Sequence, residues 1–224
     1  MIDRRLVAEL AGTGLLLYVV VGSGIAAETL GSDGAAQLLA HAVVVGAGLG
    51  VLIALFAAVS GSHFNPAVSM AFWRSGALGG RDTAGYVGAQ LVGAVLGVIA
   101  ANAGFGRPMV MVATTARSGT GRIVSEAIAT FVLVLVILVL VRTGRTSWIP
   151  AAVGAWVATI IFATVSTGFA NPAVTIARTL TDTYTGIAPR SVVGFVAAQL
   201  LAGLAAGPAA AFLHPAPRSA GAVS

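Results

Sequence analysis

The chain has 224 residues, of which 58% are hydrophobic and only 8% charged, and its mean hydropathy is +0.98. Soluble domains are roughly one-quarter charged, so this composition excludes an ordinary soluble protein. The net charge of +5 comes from twelve arginines, which stand singly or in pairs at the ends of apolar runs. This placement is typical of contact with lipid headgroups and argues against nucleic acid as a partner. Cysteine is absent, which excludes disulfides, thiolate nucleophiles and cysteine-bound metals.

Six long apolar segments follow one another, each close to the roughly 20 residues that a helix needs to cross a bilayer. They cover residues 6–27, 36–58, 84–104, 123–143, 148–166 and 191–213. The first segment superficially resembles a signal peptide, but it is too long for one and contains Glu9, so we interpret it as a retained span. The sequence therefore predicts an all-α membrane protein with six transmembrane helices.

Three features recur in the same order in both halves of the chain. They are a glutamate early in the first and fourth segments, Asn-Pro-Ala-Val after the second and fifth, and Ala-Gln within the third and sixth: Glu9 and Glu126, 65–68 and 171–174, Gln90 and Gln199. We divide the chain accordingly into a first repeat, a linking loop, a second repeat and a disordered tail: 1–104, 105–121, 122–213 and 214–224. Three spans per repeat invert the second relative to the first, and inverted repeats place a functional site at the membrane midplane.

Arginine distribution favours a cytoplasmic N-terminus and C-terminus. The segments that would then be cytoplasmic hold Arg4, Arg5, Arg74, Arg81, Arg142, Arg145 and Arg218. The opposite side would hold Arg107, Arg117, Arg122, Arg178 and Arg190. Seven against five is a small excess of the kind that orients membrane proteins. We expect the chain to be a multi-pass protein of the plasma membrane, here a bacterial inner membrane.

Each Asn-Pro-Ala triplet is predicted to start a short helix. Asparagine is a good N-cap and proline is favoured at the first helical position, so Asn65, Pro66 and Ala67 begin one helix. Asn171, Pro172 and Ala173 begin the other. About nine apolar or small residues follow each start, enough for roughly half a bilayer. Two re-entrant half-helices entering from opposite faces would aim their positive N-terminal ends at the middle of a pore. That field repels cations and protons, while the asparagine amides offer hydrogen bonds to passing solutes.

Over about residues 5–213 the chain resembles the aquaporin/major intrinsic protein family. The resemblance is carried by both Asn-Pro-Ala boxes, Ser-Gly-x-His before the first, the two early glutamates and the two Ala-Gln pairs. It implies a homotetramer in which every protomer has its own pore, and no cofactor. It also implies that Glu9 and Glu126 hold loop backbone by hydrogen bonds, with Gln90 and Gln199 as further structural residues. The alternative for the glutamates is solvation at a helix end.

The second box departs from the family pattern, because Val174 stands where most members have an arginine that narrows the pore. Counting from the motifs places Val45 at the same constriction. In the fifth span the corresponding position is Ile160, with Thr159 as the alternative. The loop position is Gly168 or Phe169. The tract Asn-Pro-Ala-Val-Thr-Ile-Ala-Arg resembles a bacterial branch that accompanies arsenic detoxification, whose expected substrate is neutral arsenous acid.

Two polar residues lie one helical turn from the predicted constriction, toward the outer mouth. Arg178 follows Val174 by four residues, and His41 precedes Val45 by four. Together they predict a polar ring that is displaced from the constriction by one helical turn. The alternative is that Arg178 pairs with Asp182 at a solvated helix end and that His41 is an ordinary interfacial residue. His63 is interpreted as a wall residue of the inner vestibule, against the alternative of a pH gate.

The predicted function is a passive channel for water and small uncharged solutes, such as glycerol-like polyols and arsenous acid, that excludes ions and protons. A strict water channel and a secondary transporter are the alternatives. Coupled transport needs ionisable residues along the path, and the spans offer only Glu9, Glu126 and His41. The sequence contains no metal-ligand spacing and no Ser-His-Asp set that would indicate an enzyme. The predicted partners are therefore the lipid bilayer, further copies of the chain and small neutral solutes.

Overall fold

The computed structural model describes residues 3–31 and 33–215, and in that part of the chain all regular structure is helical. The six long helices are α1 (Arg4–Leu30), α2 (Gly34–Ser60), α4 (Gly80–Gly104), α5 (Thr120–Arg142), α6 (Ile149–Ala163) and α8 (Pro189–Leu213). The two short helices are α3 (Pro66–Arg74) and α7 (Pro172–Ala177). A 3₁₀ turn, Thr146–Trp148, precedes α6, and another, Arg178–Leu180, continues α7. The six long helices are apolar enough to cross a membrane, which confirms the predicted fold class.

Helices α1 and α2 begin before their predicted apolar segments because caps, not hydrophobicity, set their first residues, whereas α6 ends at Ala163, three residues short of its segment. Asp3 caps α1 by accepting a hydrogen bond from Arg5 N at 2.9 Å. Asp33 caps α2 by accepting from Ala35 N at 2.8 Å. Each cap satisfies an amide that the helix itself leaves unpaired. Of the predicted tail, 214–224, residues 216–224 lie outside the described residues.

The two halves of the chain pack in the same way. Helix α1 lies along α4 in the first half, α5 lies along α8 in the second, and α2 crosses the boundary to pack on α6. The α1–α4 approach depends on Gly93 and Gly97, where a Cβ would collide with the carbonyls of Leu10 and Gly14. Small residues at such crossings let helix backbones pack directly in an apolar solvent.

The bundle has two distinct ends. Arg5 Nη1 lies 3.2 Å from Asp82 Oδ2, which joins the start of α1 to the start of α4. Arg142 Nη2 donates to His214 O at 2.8 Å, which joins the end of α5 to the end of α8. We call this the near end, since it holds both described chain ends. At the opposite, far end, residues 105–119 connect the halves.

The connection at the far end is tied down along its length. Met111 N donates to Leu180 O at 3.0 Å, and Ala113 N donates to Thr179 O at 2.9 Å. Ala188 N in turn donates to Thr115 O at 2.8 Å. The segment predicted only as a linking loop is therefore also a wall of the far end.

Candidate functional site

A cavity of about 720 Å³ runs between the two ends of the bundle. Both asparagines of the Asn-Pro-Ala boxes line it, and so do the predicted constriction, mouth and vestibule residues other than Ile160: Asn65, Asn171, Val45, Gly168, Phe169, Val174, His41, Arg178 and His63. Most of the remaining wall is aliphatic, and its members include Leu16, Val20, Leu49, Ile53, Leu133, Val153, Val157 and Ile161. A passage with apolar walls and a few polar groups favours small neutral molecules over ions.

The two asparagines are joined across the repeats. Asn65 Oδ1 accepts from Ala67 N at 2.9 Å, which caps α3, and Asn65 Nδ2 donates to Ala170 O at 2.8 Å. Asn171 Oδ1 accepts from Ala173 N at 2.9 Å, which caps α7, and Asn171 Nδ2 donates to Phe64 O at 2.7 Å. A carboxamide has two N–H donors, so each side chain retains one beyond this bond for the cavity that it lines.

The half-helices start where the structure requires unusual backbone. Phe64 has φ +47° and Ala170 has φ +48°, immediately before the two asparagines. Positive φ is costly for residues with a side chain and persists where surrounding contacts fix it. At Phe64 one such contact is visible, because a Cβ on Gly12 would collide with the Phe64 ring. The turns aim the N-termini of α3 and α7 at the middle of the cavity.

Glu9 fixes the first turn. Its carboxylate accepts from Ser60 Oγ at 2.6 Å, His63 N at 3.0 Å, Phe64 N at 2.7 Å and Gln90 Nε2 at 2.7 Å. The side chain is fully buried, which excludes solvation at a helix end. Four donors around one carboxylate offset the cost of burying its charge.

Glu126 does the same in the second half. It accepts from Phe169 N at 2.9 Å, Ala170 N at 2.8 Å and Gln199 Nε2 at 2.6 Å. Gln199 Nε2 also donates to Thr175 Oγ1 at 2.8 Å, which ties this network to α7. The hydrogen bonds to loop backbone that were expected of both glutamates are therefore present, and both glutamines belong to the same networks.

The prediction of Ile160 as the constriction residue of the fifth span was wrong. Ile160 lies outside the cavity wall, beneath Gly168, where a Cβ would come within 2.6 Å of Ile160 Cγ1. The alternative, Thr159, is exposed on the outside of the bundle. Val157 and Ile161 line the cavity instead. Counting back from Asn171 passes through irregular backbone, and an error of one residue turns a helical side chain by roughly 100°.

At the far end Arg178 lies inside the protein. It is only 4% exposed, and its Cζ stands 3.5 Å from the centroid of the Phe169 ring. Its Nε donates to Thr185 O. Asp182 is occupied elsewhere, accepting from Thr114 N at 2.9 Å, so the alternative of an Arg178–Asp182 pair at a solvated helix end was wrong.

His41 faces the same part of the cavity from α2. It is 3% exposed, and its Nδ1 lies 2.8 Å from Ser23 Oγ. Its ring meets the Tyr184 ring edge-on at 6.0 Å between centroids. This placement differs from an interfacial histidine, because the side chain is buried in the wall and held by two neighbours.

Arg117 is a site residue that sequence reasoning missed. Its Nε donates to Gly186 O at 2.8 Å and its Nη2 to Tyr184 O at 2.9 Å, and its Cζ lies 5.2 Å from the Phe169 ring centroid. Burial lowers the pKa of the Arg117 guanidinium from its ordinary value. A lone arginine in a connecting segment gave no pattern from which these contacts could be predicted.

At the near end His63 is part of the cavity wall. Its Nδ1 lies 3.1 Å from Ser69 Oγ, and its ring packs on Phe72 with centroids 4.6 Å apart. The Tyr86 ring meets it from another side at 5.2 Å. This setting agrees with the interpretation of His63 as a vestibule wall residue. Within residues 3–31 and 33–215, no group of three or more histidine, aspartate or glutamate side chains is placed to hold a metal ion.

Six membrane-spanning helices around one cavity, with two half-helix N-termini at its middle, define a membrane channel. Comparison with known sequences gives the family, since the profile described as Major intrinsic protein matches residues 2–164. The chain belongs to the major intrinsic protein family.

Individual relatives agree with that assignment. Aquaglyceroporin AqpS of Rhizobium meliloti (strain 1021) is 44% identical over 205 residues, which cover 92% of this chain and 88% of that protein. The glycerol uptake facilitator protein of Pseudomonas aeruginosa is 38% identical over 87 residues, 39% of this chain and 30% of that protein. The X-ray structure of the aquaglyceroporin from Plasmodium falciparum superposes with a TM-score of 0.74 at 22% identity, covering 92% of this chain and 93% of that one. This structural likeness concerns the fold.

Proposed function

We propose that the protein conducts water and small uncharged solutes passively, with glycerol-sized polyols among them. The observation that carries the proposal is the cavity itself, aliphatic along its walls and polar at the paired Asn65 and Asn171. A hydroxylated solute exchanges hydrogen bonds with those amides, while its carbon face lies against the aliphatic wall. Relatives named as an aquaglyceroporin and a glycerol uptake facilitator support solutes of this class.

Ions and protons are excluded by two effects in this proposal. The N-termini of α3 and α7 each carry roughly half a positive charge and repel cations at the middle of the cavity. Anions meet a different barrier, because valine and leucine side chains offer no replacement for their water shell. A secondary transporter is disfavoured, since Glu9 and Glu126 are committed to backbone amides and are absent from the cavity wall.

Selectivity in this proposal comes from Val45, Val157, Ile161 and Val174 rather than from an arginine at the second box. All four line the cavity, and together they form an apolar section. His41 and Arg178 form the displaced polar ring at the far mouth, which is the opening of the cavity at the far end. A neutral trihydroxyl solute such as arsenous acid fits the same combination of apolar wall and separated polar groups.

We further propose a homotetramer in a bacterial inner membrane, with both chain termini cytoplasmic and the far end outside. Large apolar side chains on the bundle surface, such as Val51, Leu55, Val193 and Leu201, are more than 60% exposed in one copy of the chain. Lipid and neighbouring copies would cover them. The two repeats, residues 1–104 and 122–213, would then be inverted relative to each other across residues 105–121.

The decisive experiment is stopped-flow light scattering on proteoliposomes. Water efflux is compared with the entry of glycerol and of arsenous acid, in liposomes with and without protein. We expect all three fluxes to rise above those of empty liposomes and not to saturate. Water flux alone would indicate a strict water channel. Saturable uptake that depends on an ion gradient would indicate a secondary transporter.

A further inference from the structure

The far mouth contains two cations, the buried Arg178 and the half-buried Arg117, and neither forms a salt bridge with an acid in the described residues. Arg178 and Arg117 both contact the Phe169 ring, with Cζ atoms 3.5 and 5.2 Å from its centroid. Among residues 3–31 and 33–215, the ion pairs involve only Arg5 with Asp3 and Asp82, at the near end. The far mouth therefore carries positive charge that no direct ion pair neutralises, inside a cavity of low polarity.

Nearby carboxylates are committed elsewhere. Glu126 accepts from the backbone of Phe169 and Ala170 on the side away from the cavity. Asp182 is exposed and accepts from both the amide and the hydroxyl of Thr114, at 2.9 and 3.0 Å. Neither forms a salt bridge with Arg178 or Arg117 in the described structure.

The two arginines differ in their free hydrogen-bonding capacity. Arg117 uses all three nitrogens, donating to Gly186 O, Tyr184 O and Thr167 Oγ1. Arg178 uses only Nε, which donates to Thr185 O. Its other N–H groups have no partner among the described residues, although the side chain is 96% buried (4% exposed) and lines the cavity. A guanidinium has five donors, so four remain for a bound molecule.

We propose that the far mouth binds a small monovalent oxyanion, of the carboxylate or sulfonate class, on the free edge of the Arg178 guanidinium. Two parallel N–H···O bonds match the spacing of two oxygens on such an anion. Arg117 adds attraction from its place against the same ring without donating to the anion. The bound anion does not continue inward, because Val45 and Val174 stand next on the path and supply no donor.

A functional consequence follows, and it rests on the proposed channel activity. An anion on Arg178 occupies the path of neutral solutes, so it competes with them at the far mouth. Oxyanions should therefore slow glycerol entry in proportion to their occupancy. Bulky anions that cannot enter the cavity should have no such effect at equal ionic strength.

The test measures glycerol entry into proteoliposomes at pH 7 with sodium methanesulfonate on both sides. Methanesulfonate is a small oxyanion with no neutral form at this pH. Sodium camphorsulfonate at the same ionic strength is the control for screening and osmolarity, because it carries the same sulfonate on a bulky bicyclic group. We expect glycerol entry to fall as the methanesulfonate concentration rises and to stay constant in camphorsulfonate. Equal rates in both salts at every concentration would overturn the proposal.

The variant for this test is Arg178→Gln, and its matched control is Arg190→Gln, which removes an exposed arginine from the same end of the bundle. Arg178→Gln should raise the concentration for half-block about tenfold, equivalent to about 1.4 kcal/mol. Arg190→Gln should leave it unchanged. Block of equal strength in Arg178→Gln would show that the anion binds elsewhere and would overturn the proposal.

A binding measurement separates the site from the channel activity. The thermal unfolding temperature of the natural protein in detergent should be higher in methanesulfonate than in camphorsulfonate, since a ligand of the folded state stabilises it. This readout also serves if Arg178→Gln does not fold. If the natural protein conducts no glycerol even in the absence of anion, the proposed function is contradicted but the anion site is not. No thermal shift in the natural protein would contradict the anion site alone.

Discussion

Phe72 and Arg178 occupy the same place in the two repeats, each four residues after the valine that ends Asn-Pro-Ala-Val. Phe72 packs on the His63 ring at 4.6 Å, and Arg178 packs on the Phe169 ring at 3.5 Å. His63 and Phe169 correspond as well, since each donates its backbone N–H to the glutamate of its own repeat. Each mouth thus has an equivalent pair of packed side chains, Phe72 on His63 at the near end and Arg178 on Phe169 at the far end. Only the far pair contains a permanent cation.

Replacement of Val174 tests the apolar section of the cavity. Val174→Arg introduces a long cationic side chain where the natural wall is aliphatic, so the passage becomes narrower for solutes larger than water. We expect glycerol permeability to fall about tenfold, a barrier about 1.4 kcal/mol higher, with a smaller loss of water permeability. Val174→Ile is the control for volume without charge. An unchanged glycerol-to-water ratio in folded Val174→Arg protein would remove residue 174 from the selective section.

Replacement of the paired asparagines tests the central barrier. Asn65→Asp places an oxygen against Ala170 O, where the amide now donates, and adds a negative charge beside two positive helix ends. We expect either cation conductance in planar bilayers or failure to fold, and the same for Asn171→Asp. Asn102→Asp is the control, because Asn102 is a buried asparagine outside the cavity wall. Normal solute flux with no conductance in Asn65→Asp would show that this residue does not form the barrier.

The glutamate networks predict a difference in stability between matched substitutions. Glu9→Gln replaces one carboxylate oxygen by a donor that faces donors from Ser60, His63, Phe64 or Gln90. We expect a loss of about 3 kcal/mol in the free energy of unfolding, because a buried amide loses its acceptor. Glu126→Gln should have an effect in the same direction. Glu28→Gln, at an exposed position of α1, should lie within about 0.5 kcal/mol of the natural protein. Thermal and denaturant unfolding in detergent measure all three.

Absence of cysteine allows the cavity wall to be mapped directly. The natural protein should keep its permeability in mercuric chloride, because it has no thiol to react. Val157→Cys and Ile161→Cys place a thiol in the wall and should become mercury-sensitive, with recovery on adding a free thiol. Ile160→Cys should remain insensitive, since Ile160 is buried beneath Gly168. Block of Ile160→Cys without block of Val157→Cys would reverse our assignment for α6.

The sequence predicted those parts of the molecule that depend on composition and local pattern. Long apolar runs located the six spans, and Asn-Pro at 65–66 and 171–172 located the two half-helices, because capping and fixed proline φ act within a few residues. Val45 lines the wall, as the count back from Asn65 predicted, although that count passes through Ser62 and Phe64, which have positive φ. Ile160 was misplaced because α6 ends at Ala163, so the turn before Asn171 takes seven residues, 164–170, where the turn before Asn65 takes four, 61–64.

The other contacts of the site could not be predicted from the sequence, because they depend on tertiary structure. Arg117 reaches Phe169 only because the segment around it is paired with Thr179 and Leu180, a register that no local pattern encodes. Likewise the burial of Arg178 depends on the Thr185 carbonyl arriving from the loop after α7. Helical spacing placed Arg178 on the face of Val174 but did not exclude the competing pair with Asp182.

The exchange of hydrogen bonds between the two asparagines also bears on how the protein is made. Ribosomal synthesis delivers Asn65 well before its acceptor, the carbonyl of Ala170, which lies 105 residues further along the chain. The carbonyl of Phe64 likewise precedes its donor, the amide of Asn171, by 107 residues. Neither half can therefore complete the centre alone, so the centre forms only after the second half has been synthesised. A nascent chain offers no finished conduit, so the membrane stays sealed until both halves have been inserted.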